Sequence, residues 1–128
     1  ALAMDLSDLA LILTARRWSQ NYELGAHRKI AEQAGLPSAV AEAVREGRRP
    51  DGLSPDQQVV YDFCTEVHAN GQVCDMTYDK AKTAFGEQGV IDLTTICGYY
   101  TLLAMIMNVA KTPLPDGAEA ELTPFNKS

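Results

Sequence analysis

Two residues able to exchange a proton lie one helical turn apart near the start of the chain. Glu23 stands four residues before His27, one of the 2 histidines. Residues at this spacing share one face of a helix, so the carboxylate and the imidazole can meet. Two interpretations are open: a surface ion pair worth about 0.3–0.5 kcal/mol, or a carboxylate that orients an imidazole for acid–base catalysis.

Charged residues of the preceding segment could join this pair. Asp8 suits the N-terminal end of a helix, where a negative charge is favourable, but it becomes a second carboxylate of the site if its helix packs toward His27. Arg16 can bind a substrate carboxylate through its bidentate fork. Arg16 and Arg17 also suit the C-terminal end of a helix dipole, and the sequence leaves both readings open.

Other polar and aromatic residues have simpler structural explanations. His68 falls near the end of a predicted helix, where a basic residue complements the dipole, so we leave it out of the predicted site. Tyr99 and Tyr100 are typical of core and interface packing. Asn108 lies in an apolar segment and needs a hydrogen-bond partner there.

Hydrophobic periodicity predicts an all-α fold of about six helices. Apolar residues recur every three or four positions from Asp5 to Arg17, and Ser19 is the predicted cap of a second helix that ends before Gly35. The other helices are predicted over residues 38–46, 55–70 with Ser54 as N-cap, 76–85 with Asp75 as cap, and 90–110. No sustained alternation predicts a strand.

Composition suits one globular domain over residues 1–128, because 46% of the residues are hydrophobic and 22% are charged. The formal net charge of −6, without a basic stripe, argues against a nucleic-acid partner. The 3 cysteines form neither a CxxC pair nor a zinc-type spacing, which predicts free thiols, a cytoplasmic location and no metal. The chain starts without a signal peptide or an initiator Met, which suggests that part of the N-terminal segment is missing.

The last predicted helix contains the uncharged stretch "LTTICGYYTLLAMIMNVA", close to the lower length limit for crossing a bilayer. Its threonines, tyrosines and Asn108 dilute the hydrophobicity, and only Lys111 supplies a flanking positive charge. We therefore predict a helix buried on all sides rather than a membrane span. In a domain of this size, part of that cover must come from another subunit, so a homo-oligomer is expected.

Several segments resemble one known family. "DLALILTARRWSQNYELGAHRKIAEQAGLP", "FGEQGVIDL" and "GYYTLLAMIMN", in this order, look like the carboxymuconolactone decarboxylase family of the alkylhydroperoxidase D-like superfamily. The resemblance covers nearly the whole chain. It implies an all-helical fold that assembles as trimers or hexamers, with active sites near subunit interfaces.

The resemblance also separates two branches of that superfamily. The peroxidase branch uses a relay Glu, a CxxC pair and a His, and these positions here hold Asp8, Gln20, Glu23 and His27, so both thiols are absent. Neither Gln nor Glu can perform thiol redox chemistry. The decarboxylase branch, in contrast, is similar to this chain in its Asn-x-Glu-Leu-x-x-His frame.

The likeness implies a cofactor-independent lyase that decarboxylates a carboxylated lactone or a similar enolisable acid. His27 would donate the proton, Glu23 would orient it, and Asp8 would support both. The residues assigned to substrate binding are Arg16, Gln20 and Tyr22. Two alternatives stay open: an alkylhydroperoxidase-like antioxidant activity through another cysteine, and a non-catalytic oligomer that binds a small acid or has a structural role.

Overall fold

The computed structural model describes residues 2–115, 117, 118, 120 and 122, and this part of the chain contains helices and no strands. The helices are α1 (Met4–Arg17), α2 (Asn21–Gln33), α3 (Ser38–Glu46), α4 (Pro55–Asn70) and α5 (Asp75–Ala110). The predicted all-α class is confirmed. The number of helices is five rather than about six, because the last two predicted helices join into one kinked element.

The kink in α5 lies at Gly86, whose backbone has φ 74° and ψ 177°. Residues with a Cβ are excluded from this conformation, so a glycine is required to continue the helical path through it. The kink brings Phe85 against Gly89, where an added Cβ would collide with the Phe85 side chain. A loop is predicted over residues 86–89, but in the structure only Gly86 of this segment is non-helical.

Most helix ends follow the local signals. Ser54 caps α4 in a capping box with Gln57, and Gly71 ends that helix in the left-handed conformation. The cap predicted at Ser19 is wrong: Ser19 has a positive φ of 51°, and the side chain of Gln20 caps α2 instead. Asp75 is the first residue of α5 rather than its cap, which is at position 74.

The first helix lies at the centre of the fold. It packs against α2, α3, α4 and α5. Leu9, Ala10 and Ile12 have no exposed surface, and the buried polar residues Asp8 and Thr14 lie on the same helix. Because α1 is covered from several sides, its buried polar residues Asp8 and Thr14 meet groups on neighbouring helices.

The C-terminal part of α5 is packed on one side only. Its other side carries the α5 apolar face, which consists of Ile91, Tyr99, Leu102, Met105, Ile106 and Val109. The expectation of a helix buried on all sides is therefore not met within one chain. By length and composition alone α5 could cross a membrane, since its most apolar window has a mean hydropathy of 1.6 and 22% of that window is buried. One such helix is weak evidence for a membrane span.

Candidate functional site

The predicted acid–base residues come together where α1 packs on α2. One ring nitrogen of His27, Nδ1, lies 3.9 Å from Asp8 Oδ1, and the other, Nε2, lies 3.6 Å from Glu23 Oε2. The imidazole therefore stands between two carboxylates. Both distances exceed that of a normal hydrogen bond. Asp8 Oδ2, Glu23 Oε2 and His27 Nδ1 are buried without a hydrogen-bond partner among the described residues.

Burial sets the electrostatics of the two carboxyl groups. Asp8 and Glu23 are each 5% exposed, whereas the His27 side chain is 25% exposed. Desolvation raises the pKa of Asp8 and the pKa of Glu23, and the attraction of His27 offsets only part of this effect. The carboxyl groups therefore hold their protons to a higher pH than exposed carboxyl groups do.

Tyr100 of α5 forms another wall of the site. Its ring packs edge-on against the His27 ring, with centroids 5.8 Å apart. Burial, followed by the nearby Glu23 carboxylate, raises the pKa of the Tyr100 hydroxyl. From the sequence, Tyr100 is expected in core and interface packing, because no local signal places it beside a histidine far away along the chain.

Gln20 and Tyr22, which were predicted to bind substrate, have different surroundings. Gln20 Oε1 accepts hydrogen bonds from the backbone N–H groups of Tyr22 and Glu23 at 2.7 and 3.4 Å. Gln20 Nε2 donates to Asn108 Oδ1 at 2.9 Å, and Asn108 Nδ2 donates to the carbonyl of Trp18 at 2.8 Å. Gln20 is thus a helix cap that fixes the start of α2. Gln20 and Tyr22 both line a cavity of about 590 Å³ beside Asn108.

Arg16 lies away from the acid–base residues. It follows Asp8 by eight positions on α1, about 12 Å along the helix axis. Its Nε donates to the carbonyl of Arg45 at 3.0 Å, and its guanidinium packs against Gly47 at the end of α3. The structure brings Asp8, Glu23 and His27 together. It places Arg16 in a separate cavity.

A second cluster, absent from the predicted site, lies where α1, α4 and α5 meet. The sulfur atoms of Cys64 and Cys97 are 3.5 Å apart, and both cysteines are buried. His68 Nε2 lies 2.9 Å from Thr14 Oγ1, which donates to the carbonyl of Ala10 at 2.9 Å. Cys64 and His68 are one helical turn apart on α4. This is the same spacing signal as that of Glu23 and His27.

The two thiols of this cluster differ in acidity. The hydrogen bond between Cys97 and Cys64, with further contributions from His68 and Thr14, lowers the pKa of Cys97. The same contact and complete burial raise the pKa of Cys64. Cys97 is therefore the thiol more readily deprotonated, which is the property expected of a nucleophilic cysteine.

Comparisons with known proteins give no relative for this chain. No protein-family model, curated protein or solved structure matches the chain. The likeness to the carboxymuconolactone decarboxylase family therefore stays a prediction from the sequence. In the described part of the chain, no group of three or more His, Cys, Asp and Glu residues is arranged to hold a metal ion.

We predict that Glu23→Gln raises the free energy of unfolding at pH 7. Because the folded-state pKa of Glu23 lies above its ordinary value of 4.5, the folded protein binds this proton more tightly than the unfolded chain does. Stability therefore falls as pH rises through 4.5 and levels off above the folded-state pKa. Urea unfolding between pH 4 and pH 8 should show a smaller decrease in the free energy of unfolding for the variant than for the wild type.

The matched control for this measurement is Glu87→Gln, which removes the same charge from an exposed side chain of α5. It should leave the pH dependence of the wild type unchanged. A Glu23→Gln protein less stable than the wild type at pH 7 would show that the attraction to His27 outweighs the burial of the carboxylate.

Proposed function

We propose that the chain is a cofactor-independent lyase that decarboxylates a carboxylated lactone or a similar enolisable acid at His27. The observation that carries this proposal is the position of His27 between two buried carboxyl groups, with buried polar atoms that no described residue satisfies. Buried polar groups without partners are rare outside functional sites. A polar substrate would supply the missing hydrogen bonds.

The reaction needs one proton and a place for negative charge. When the bond to the leaving carboxylate breaks, CO2 departs and its electron pair stays on the substrate, delocalised into a carbonyl as an enolate. His27 then donates a proton to carbon, and Glu23 or Asp8 passes a proton to the imidazole. The partly exposed ring of His27 is the only member of the three that solvent reaches appreciably.

The surroundings of His27 favour transfer of a proton over simple ion pairing. An exposed carboxylate beside a histidine gives a weak surface pair, but Asp8 and Glu23 are buried and their pKa values are raised. Perturbed carboxyl groups in such a position are typical of acid–base sites. Burial raises the pKa of the Tyr100 hydroxyl, the nearby charges of Glu23 and Asp8 raise it further, and this hydroxyl would donate a hydrogen bond to the enolate oxygen.

Membership of the carboxymuconolactone decarboxylase family and the alkylhydroperoxidase D-like arrangement of helices are part of this proposal. The order of segments from Asp8 to His27 supports them. An acidic small molecule is the proposed substrate. A cytoplasmic location, and the expectation of neither a nucleic-acid partner nor a membrane, stay predictions.

We predict that His27→Ala lowers the rate of CO2 release by about 10²- to 10⁴-fold, the usual contribution of a positioned general acid. The measurement is a screen of carboxylated lactones and oxo-acids for CO2 release. The exposed residue Lys29, on the same helix, supplies the control Lys29→Ala, which should retain full activity. A turned-over substrate that the His27 variant processes at the wild-type rate would refute the role of His27, and a ligand bound near His27 without turnover would favour the non-catalytic alternative.

The second candidate function is reduction of hydroperoxides by Cys64 and Cys97, favoured by their contact at 3.5 Å. The Cys97 thiolate would attack the terminal peroxide oxygen, giving a sulfenic acid and an alcohol. The Cys64 sulfur would then displace water from the sulfenic acid and form a disulfide. An external dithiol must reduce this disulfide. Burial of both cysteines restricts access by bulky hydroperoxides, so this candidate ranks second.

We predict that, without added reductant, hydrogen peroxide is consumed to about one equivalent per chain and that two thiols are lost. Thiol titration of the denatured protein measures the loss. Cys74 is exposed and lies outside the pair, so Cys74→Ser should keep this stoichiometry. Consumption that survives in the double variant Cys64→Ser with Cys97→Ser would reject the thiol pair as the reactive centre.

We further propose that the α5 apolar face is the contact between copies of this chain in a trimer or hexamer. Since α5 also packs against α1 and α4, it could be surrounded by lipid only after leaving the fold. A second copy instead covers the face without unfolding the domain. Tyr99, on this face, packs against Tyr100 with ring centroids 5.1 Å apart, and Tyr100 contacts His27, so such an interface would border the acid–base site.

We predict that Leu102→Glu, in the middle of the α5 apolar face, converts the oligomer to a monomer, because a buried unpaired carboxylate opposes association. Light scattering after size-exclusion chromatography measures the mass. Ile30→Glu adds the same charge to an exposed apolar position of α2 and should leave the oligomer intact. A wild-type chain that is monomeric in solution, or that binds lipid vesicles through Leu102, would rule out the self-contact.

A further inference from the structure

A cavity of about 300 Å³ between α1, α3 and α4 is lined by basic side chains. Arg16 and Arg17 come from the end of α1, Arg48 follows α3, and His68 comes from α4. The chain as a whole is acidic, with 17 Asp and Glu against 11 Lys and Arg. The charge of the residues lining this cavity is therefore opposite in sign to the net charge of the chain.

Two of the three arginines that line this cavity, Arg16 and Arg17, differ from the other arginines in their ion pairing. Arg28, Arg45, Arg48 and Arg49 each form an ion pair with a described carboxylate; these pairs involve Glu42, Glu46 and Asp62, with Glu32 as a further partner of Arg28. Neither Arg16 nor Arg17 has an ion pair with a carboxylate in the part of the chain that the structure describes. Two guanidinium groups thus face one cavity without a neutralising partner there.

Arg16 is held in a defined orientation. Its Nε donates to the carbonyl of Arg45 at 3.0 Å, which anchors the guanidinium at the end of α3. Gly47 makes room for it, since an added Cβ would lie 2.6 Å from a terminal nitrogen of Arg16. Arg17 is steadied by stacking over the Trp18 ring, 4.5 Å from its centroid. Fixed guanidinium groups lose less freedom when they bind an anion.

The other walls of the cavity select the kind of anion. Leu13 and Val44 supply apolar surface beside the arginines. A planar carboxylate matches the guanidinium fork, and a short apolar body matches these walls. We propose that this cavity binds a small organic carboxylate, held by Arg16 and Arg17 next to His68.

This binding site is separate from the acid–base site and does not depend on the proposed function. Arg16 lies about 12 Å along α1 from Asp8, and His68, not His27, lines the cavity. The 2 histidines of the chain therefore report on the two sites individually. A ligand in the cavity perturbs the ring of His68, whereas a ligand at the acid–base site perturbs the ring of His27.

The test is a titration of the whole chain with benzoate, followed by NMR of the two imidazole rings. We expect saturable shifts of the His68 signals and a dissociation constant that rises about tenfold in Arg16→Gln and in Arg17→Gln, as expected for loss of one charge-assisted contact. Lys82→Gln removes the same charge from an exposed side chain of α5 and should bind benzoate like the wild type. Thermal unfolding checks that each variant is folded.

Two further ligands test the chemical class. Benzamide, which has the same ring without the charge, should not shift the His68 signals, and inorganic phosphate should bind more weakly than benzoate because it has no apolar part. The proposal is overturned if benzoate affects only His27, if folded Arg16→Gln and Arg17→Gln bind it as tightly as the wild type, or if phosphate binds as well as benzoate. None of these outcomes bears on CO2 release at His27.

Discussion

The burial of α1 by the four other helices is the constraint on which the rest of the structure depends. A helix covered on several sides removes polar side chains from water, and those side chains then lie against groups of neighbouring elements. Asp8 meets His27 of α2, Thr14 meets His68 of α4, and Arg16 meets the backbone at the end of α3. The candidate sites of this protein are thus the places where polar residues of one central helix find their partners.

These polar contacts have different effects on stability. Thr14 is fully satisfied, because its hydroxyl has both a carbonyl and an imidazole within 2.9 Å. The carboxyl groups of Asp8 and Glu23 are not satisfied, and burial raises their pKa values despite the nearby His27. A buried carboxylate without hydrogen-bond partners opposes folding. His27, rather than the Thr14 contact, is therefore where we propose acid–base chemistry.

The exposed side of α5 connects the candidate site to assembly. The same helix supplies Tyr100 to the wall of the acid–base site, Cys97 to the thiol pair and Leu102 to the α5 apolar face. The kink at Gly86 sets the direction of the segment that carries all three residues. The backbone conformation at Gly86, which only glycine adopts readily, therefore influences two candidate sites and the proposed contact between subunits.

Local signals in the sequence determined the all-α class, the capping box at Ser54 and the shared face of Glu23 and His27, since helical periodicity and caps act within a few residues. Only the tertiary structure decided which of these faces meet. In the folded chain Asp8 lies near His27, Cys64 contacts Cys97, and Arg16 lines a different cavity. The reason is physical. The helical repeat fixes the direction of a side chain around the axis of its own helix, whereas the packing of one helix on another depends on the shapes of surfaces far apart in the chain.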